Sequence, residues 1–205
     1  MVRAGVTSVD DAVAALERGD VIVLPTDTVY GLVALAADPD ATARLFALKQ
    51  RSDGVPLAVL CASIGQALAL AATPDDPAVL SVAQRWWPGP LTLVVARREG
   101  IDLQLGEPAT TIGLRVPDHD LLRAITERTG PVAATSANRH GEPVATTAED
   151  ARRTFGDGVA LVVDGGRLSE RSSTVIDVTS VPWRVLREGP IPGAAILETG
   201  PDGAG

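Results

Sequence analysis

Hydroxyls, carboxylates and cations recur at the ends of short apolar runs in this chain, and side chains held there can be aimed at a ligand. Residues 21–24, VIVL, form a β-branched run of the kind that makes a buried strand. Pro25 ends it, because proline has no N–H for a strand ladder. Thr26, Asp27, Thr28 and Tyr30 follow, and Gly31 closes the segment. In α/β sheets ligands usually sit beyond strand ends. The plainer alternative is a turn whose Thr and Asp satisfy nearby backbone groups. Lys49 and Arg51 set two cations two residues apart at a predicted helix C-terminus. They could complement the helix dipole, or hold an anion with a compact charge and a planar fork. The anion site is preferred, because Lys49 is the only lysine beside 17 arginines. Tyr30 and Asn138 are likewise the only residues of their types.

Thr111, Gly113 and Arg115 alternate in a strand-like run and so share one face. A buried arginine there needs a partner. Either a structural carboxylate, such as Asp118, or a ligand carboxylate would serve. Ser136 and Asn138 end another apolar run; Ser173 precedes one and Arg187 follows one. Ser136 has no GxSxG surroundings, and neither His119 nor His140 has a triad setting, so a serine hydrolase is not expected. There is no GxxxxGK[ST] or GxGxxG motif. Phosphates would therefore fall to side chains such as Lys49, Arg51 and Arg187. No pair of carboxylates stands out as an acid–base couple. That points to positioning and charge neutralisation, as in phosphoryl or nucleotidyl transfer.

These residues need a scaffold. Helices are expected over residues 8–18, with Ser8 as cap and Gly19 as stop, and from Asp38-Pro39 to Lys49. Others are expected over 63–72, 77–87, 117–128 and 148–155, with a short one at 190–197. Strands are expected over 21–24, 32–36, 56–61, 91–96, 112–116, 132–135, 159–163, 175–178 and 184–186. Residues 100–110, 141–147 and 165–172 read as polar connections. Alternating strands and helices predict one mixed α/β (α+β) sheet domain over residues 1–198, with 199–205 as a tail.

Composition narrows the function. The chain has 205 residues, 45% hydrophobic and 21% charged, which is globular. No apolar run reaches bilayer length, and residues 1–20 lack a basic-then-apolar signal, so a soluble, cytoplasmic protein with no membrane contact is expected. Net charge is −8, which argues against sequence-independent nucleic-acid binding while allowing a local basic pocket. The single cysteine, Cys61, is expected to be a buried inert thiol. Two histidines without HExxH or CxxC spacing predict no metal site built from protein side chains.

Seven segments together resemble the YrdC-like threonylcarbamoyl-AMP synthase family: PTDTVYGL (25–32), KxR (49–51) followed by Pro56-Leu57, WPGPLTLVV (87–95), IGLRVPDH (112–119), SAN (136–138) with Gly141, STVID (173–177) and LREG (186–189). They occur in family order over residues 10–195. The resemblance implies a single-domain form with a twisted open mixed sheet, flanking helices and a deep concave cleft. It implies synthesis of threonylcarbamoyl-adenylate and pyrophosphate from L-threonine, bicarbonate and ATP, with Mg²⁺ accompanying the nucleotide. A partner transferase then modifies the tRNA adenosine beside the anticodon; a weak tRNA contact is a further implied partner. By position, Lys49 and Arg51 match the catalytic cations. Arg51, Thr111, Ser136, Asn138 and Arg187 fall on the ATP side, and Thr28, Tyr30, Arg115 and Ser173 on the threonine side. Val55, Leu60 and Val144 are apolar where some members carry polar residues. The alternatives are a non-catalytic tRNA-binding module, or a paralogue using another carbamoyl or acyl donor.

Overall fold

The computed structural model describes residues 8–50 and 56–200. Among the described residues, nine strands form one sheet in the order β7-β1-β2-β6-β3-β5-β4-β8-β9. They are β1 (Ile22–Leu24), β2 (Gly31–Leu35), β3 (Ala58–Leu60), β4 (Leu91–Ala96), β5 (Thr111–Arg115), β6 (Val132–Ser136), β7 (Leu161–Val162), β8 (Thr174–Asp177) and β9 (Arg184–Arg187). Pairs β1/β7, β3/β5 and β4/β8 are parallel and the other pairs antiparallel, so the sheet is mixed. The α-helices of the described residues flank it: α1 (Val9–Glu17), α2 (Pro39–Lys49), α3 (Ile64–Leu68), α4 (Pro77–Trp86), α5 (Asp120–Thr129), α6 (Ala148–Phe155) and α7 (Gly193–Leu197).

The β1/β2 register shows how the sheet divides the core. Val23 pairs with Leu32, and Ile22 with Val33. Because side chains alternate across a strand, Val23 and Leu32 enter the larger cluster with Leu45 of α2, Val82 of α4 and Phe155 of α6. Ile22, Leu24 and Val33 turn to the other face and pack with Leu16 of α1 and Leu122 and Ile125 of α5. Each of these is at most 6% exposed, and burying one Leu or Ile is worth about 1.5–3 kcal/mol.

The helix starts follow local chemistry. Ser8 and Asp11 form a reciprocal capping box on α1, and the Asp38 side chain accepts from the backbone N–H groups of Asp40 and Ala41 ahead of α2. Gly19, at φ +79°, closes α1. Two expected helices are shorter in the structure. The 63–72 helix stops at Leu68, because Ala71 bridges Arg97 and the Ala72 N–H donates to the Ala96 carbonyl, drawing the chain onto the end of β4. The 117–128 helix begins only at Asp120, with His119 at its cap position. The expected 159–163 strand narrows to Leu161–Val162, with backbone bonds from Ala160 and Val163 to β1 and its flank continuing on either side.

Among the described residues, no helix is long and apolar enough to cross a membrane. Cys61 is buried, and burial pushes its thiol up to about 12, the inert thiol that was expected.

Candidate functional site

A cavity of about 550 Å³ opens over one face of the central strands. Alternation accounts for much of its lining: Ala58 and Leu60 from β3, Thr92 and Val94 from β4, and Thr111, Gly113 and Arg115 from β5, while Ala134, Thr135 and Ser136 at the end of β6 all reach it. Thr26 and Thr28 close one end; Lys49, Asn138, Ser173 and Arg187 complete the walls. The cavity thus spreads across the sheet face as well as lying beyond strand ends. Among its described lining residues the cations are Lys49, Arg115 and Arg187, and there is no carboxylate. In a chain of net charge −8, that makes a local anion site.

Arg115 closes β5 and is 5% exposed. Its Nε donates to the Gly89 carbonyl at 3.0 Å and its Nη1 to Thr28 Oγ1 at 3.0 Å. Nη2 donates to Asp27 Oδ1 at 2.5 Å. The partner is therefore Asp27, not Asp118, whose side chain is 68% exposed and stands 4.0 Å from Arg123. Burial lowers the Arg115 pKa and the Asp27 charge opposes that shift. A guanidinium has five N–H groups. Three are engaged in these bonds, which leaves one on each Nη.

Thr28 is oriented from its own loop. Thr26 Oγ1 donates to the Val29 carbonyl at 2.7 Å, accepts the N–H groups of Thr28 and Val29, and lies 3.0 Å from Thr28 Oγ1. The Thr–Asp–Thr segment is therefore both a turn and a cavity wall. Gly89 has a related constraint: a Cβ there would lie 2.4 Å from the Trp86 carbonyl oxygen. Only glycine lets this backbone reach Arg115 while its N–H bonds the Val116 carbonyl at 2.8 Å.

The opposite wall is built on Lys49, which is 4% exposed at the end of α2. Its ammonium donates to the Ser136 carbonyl at 2.7 Å, to Ser136 Oγ at 3.1 Å and to Asn138 Oδ1 at 2.5 Å. Ser136 Oγ also bonds Asn138 Oδ1 at 2.7 Å, and Asn138 Nδ2 donates to the Arg139 and Glu142 carbonyls. The chain's only lysine and only asparagine thus meet, and together they set the turn after β6. Arg51 lies outside the described residues, as does Val55.

A third group joins β4, β8 and β9. Ser173 Oγ lies 2.8 Å from Thr92 Oγ1, and Arg187 reaches Ser173 through Nη2 to Oγ at 3.0 Å and Nε to the carbonyl at 2.9 Å. Burial lowers the Arg187 pKa. Thr92 carries no role in the sequence reading. Its signal is a lone hydroxyl in LTLVVA, at the alternate position that faces the cavity with Val94.

Of the sequence candidates, Thr28, Lys49, Thr111, Arg115, Ser136, Asn138, Ser173 and Arg187 line one cavity. Leu60 lines it as well. Tyr30 stands apart. It is fully buried in the larger core, its hydroxyl donating to the Gly166 carbonyl at 2.7 Å and accepting the Gly165 N–H at 2.9 Å. Burial raises its pKa. Tyr30→Phe should therefore cost about 1–3 kcal/mol, by leaving two backbone groups without a partner. Urea denaturation would measure that loss, and ligand affinity at the cavity should stay within twofold of wild type.

The comparisons agree with this architecture. The chain is 38% identical over 188 residues to a Mycobacterium tuberculosis protein, covering 91% of this chain and 86% of that one. It is 37% identical over 171 residues to the threonylcarbamoyl-AMP synthase of Chromohalobacter salexigens, covering 83% of this chain and 92% of that one. The crystal structure of Pyrococcus abyssi Sua5 complexed with L-threonine superposes with a TM-score of 0.87 at 34% identity, over 97% of this chain and 59% of that one. The family model described as telomere recombination, Sua5/YciO/YrdC, matches residues 14–189. With that match over most of its length, and with relatives above 30% identity covering more than two thirds of it, the chain belongs to the Sua5/YciO/YrdC family.

Proposed function

We propose that this protein is an L-threonylcarbamoyladenylate synthase, a nucleotidyltransferase that joins L-threonine, bicarbonate and ATP and releases pyrophosphate. The observation that carries the reading is one shared cavity, in which a carboxylate-ready arginine and a lysine-set turn both stand in a lining whose described residues include no acid. The synthase name of the relatives and the L-threonine bound in Pyrococcus abyssi Sua5 support it.

In this scheme the threonine carboxylate takes the two remaining N–H groups of Arg115, and Thr28 and Ser173 shape the rest of its pocket. The free amine attacks bicarbonate; a C–N bond forms, water leaves and a carbamate results. A carbamate oxygen then attacks the α-phosphorus of ATP and pyrophosphate departs. Both partners in that second step are anions. Lys49, Arg51 and Arg187 offset their repulsion, and the site excludes competing carboxylates. Arg51 enters this scheme by its place two residues after Lys49. Thr111, Ser136 and Asn138 hold the nucleotide. ATP enters as its magnesium complex, the metal carried on the triphosphate. The adenylate is a reactive mixed anhydride, so it passes to a transferase acting on tRNA; the setting is cytoplasmic.

Mass spectrometry of the products tests this directly. With ¹³C-bicarbonate, ATP, Mg²⁺ and L-threonine, the label should appear in a threonine-containing adenylate. An adenylate without the label, or none at all, would refute the assignment. The tRNA-module alternative predicts salt-sensitive tRNA binding without ATP, which the net charge of −8 disfavours.

A further inference from the structure

Three strands set an apolar and a polar wall on either side of Arg115. Leu60 of β3 pairs with Arg115 of β5. On the other side Leu93 of β4 pairs with Leu114, so Thr92 is the β4 neighbour of Arg115 on the cavity face. Leu60, Arg115 and Thr92 all line the cavity, and each is at most 5% exposed. The floor between the walls is bare. Gly113 has no side chain, and a Cβ there would meet Thr92 Cγ2 at 3.4 Å. The Thr92 methyl therefore lies toward Gly113, and its hydroxyl turns toward β8, with Oγ1 2.8 Å from Ser173 Oγ. These two hydroxyls bring two hydrogens, and their mutual bond uses one. Arg187 Nη2 donates to Ser173 Oγ and so takes a lone pair, not a hydrogen. Whichever hydroxyl donates within the pair, one O–H has no acceptor among the described residues. Such a spare hydrogen on side chains this buried calls for a partner. The pair also keeps a lone pair, so it can give one hydrogen bond and take one. A ligand hydroxyl does both, whereas a carboxylate only accepts and an ammonium only donates.

We propose that this notch over Gly113 reads both substituents of the substrate β-carbon: the Thr92–Ser173 pair takes the hydroxyl, Leu60 takes the methyl, and Thr92 and Leu60 thereby determine specificity for a β-hydroxy, β-methyl amino acid. This rests on the functional reading above, in which Arg115 receives the amino-acid carboxylate. Threonine carries both groups on one carbon. Serine lacks the methyl and valine lacks the hydroxyl. L-allo-threonine exchanges the two, which sets a methyl against the spare O–H and a hydroxyl against Leu60.

Calorimetric titration of the four free amino acids into the full chain decides this separately from turnover. Wild type should bind L-threonine about 10- to 200-fold more tightly than L-serine, the range for one methyl in an apolar pocket. L-valine and L-allo-threonine should bind at least about a hundredfold more weakly than L-threonine, because each leaves the hydroxyl pair unmatched. Thr92→Val should bring threonine and valine within about threefold of each other and leave the threonine-to-serine ratio as in wild type. Thr92→Ser keeps the hydroxyl and should keep the preference over valine. Leu60→Ala should do the converse, lowering the threonine-to-serine ratio about tenfold while the preference over valine stays. A variant that is merely less stable weakens all four amino acids alike, so the ratios isolate recognition. Wild type that binds valine or L-allo-threonine as tightly as threonine, or that binds none of the four, would overturn the notch, as would a Thr92→Val variant with unchanged ratios. If the amino acids bind in the predicted order and pyrophosphate release does not depend on threonine, the synthase reading fails and the notch stands. If release depends on threonine and Thr92→Val leaves the threonine-to-valine ratio unchanged, the notch alone fails.

Discussion

Arg115→Ala is expected to lower kcat/KM for threonine by about a hundred- to a thousandfold, and to destabilise the fold as well. Both effects follow from burial. The Arg115 and Asp27 side chains are 6% and 13% exposed and meet at 2.5 Å. Removing one partner of such a pair costs about 3–5 kcal/mol, because the other charge is left in a poor solvent. Asp27 would lose the guanidinium bonded to its Oδ1, and Thr28 Oγ1 and the Gly89 carbonyl would lose a donor. Arg115→Lys should rescue little. A lysine ammonium is a point charge on a longer flexible stem and cannot span three acceptors with a planar fork. The Asp27→Asn/Arg115→Met double variant separates the two effects: stability should largely return, because no buried charge is stranded, and threonine-dependent turnover should not. Thermal melts and initial rates on these variants provide the test. A double variant that regained turnover would remove Arg115 from the reaction.

Lys49→Met should act on the nucleotide side and leave threonine binding nearly intact. The ammonium ties together the Ser136 carbonyl, Ser136 Oγ and Asn138 Oδ1. Methionine fills a similar volume and supplies no donors. The turn after β6 would lose its centre, and Asn138 Oδ1 would keep only the Ser136 hydroxyl, while its Nδ2 still bonds the Arg139 and Glu142 carbonyls. Losing one preorganised donor of this kind costs about a hundred- to a thousandfold in rate, and kcat/KM for ATP should fall by that order. KM for threonine should move less than threefold, because the Arg115–Thr28 wall is built from other loops. A large rise in threonine KM with unchanged ATP kinetics would show that the two sides are assigned the wrong way round.

The parts of this fold that were legible in the sequence are those set by local rules. Ser8 and Asp38 mark helix starts by capping chemistry, and both α1 and α2 begin there. Alternation put Thr111, Gly113 and Arg115 on one face, and all three line the cavity. The rarity of Lys49 and Asn138 pointed to them individually; that they touch is a tertiary fact, spanning 89 residues. The other shortfalls have the same origin. The partner of Arg115 comes from a loop 88 residues away, so local spacing could offer only the near neighbour Asp118, or a ligand carboxylate, as candidates. The helix at 63–72 is cut short by a bridge to Arg97, which local helix propensity cannot register. Tyr30 shares a motif with Thr28, yet lies against Gly165 and Gly166, because its side chain turns away from its neighbours Val29 and Gly31, which line the cavity. Thr92 was readable only by asking which face its strand presents.

One rate tests the assignment of this cavity most directly. Pyrophosphate release by the purified protein should be followed with ATP, Mg²⁺ and bicarbonate, with and without L-threonine. The cavity predicts release that depends on threonine and on bicarbonate, and that is lost in Arg115→Ala and Lys49→Met alike. Release that proceeds equally without threonine, or that persists in both variants, would contradict the assignment of this cavity as the synthase site.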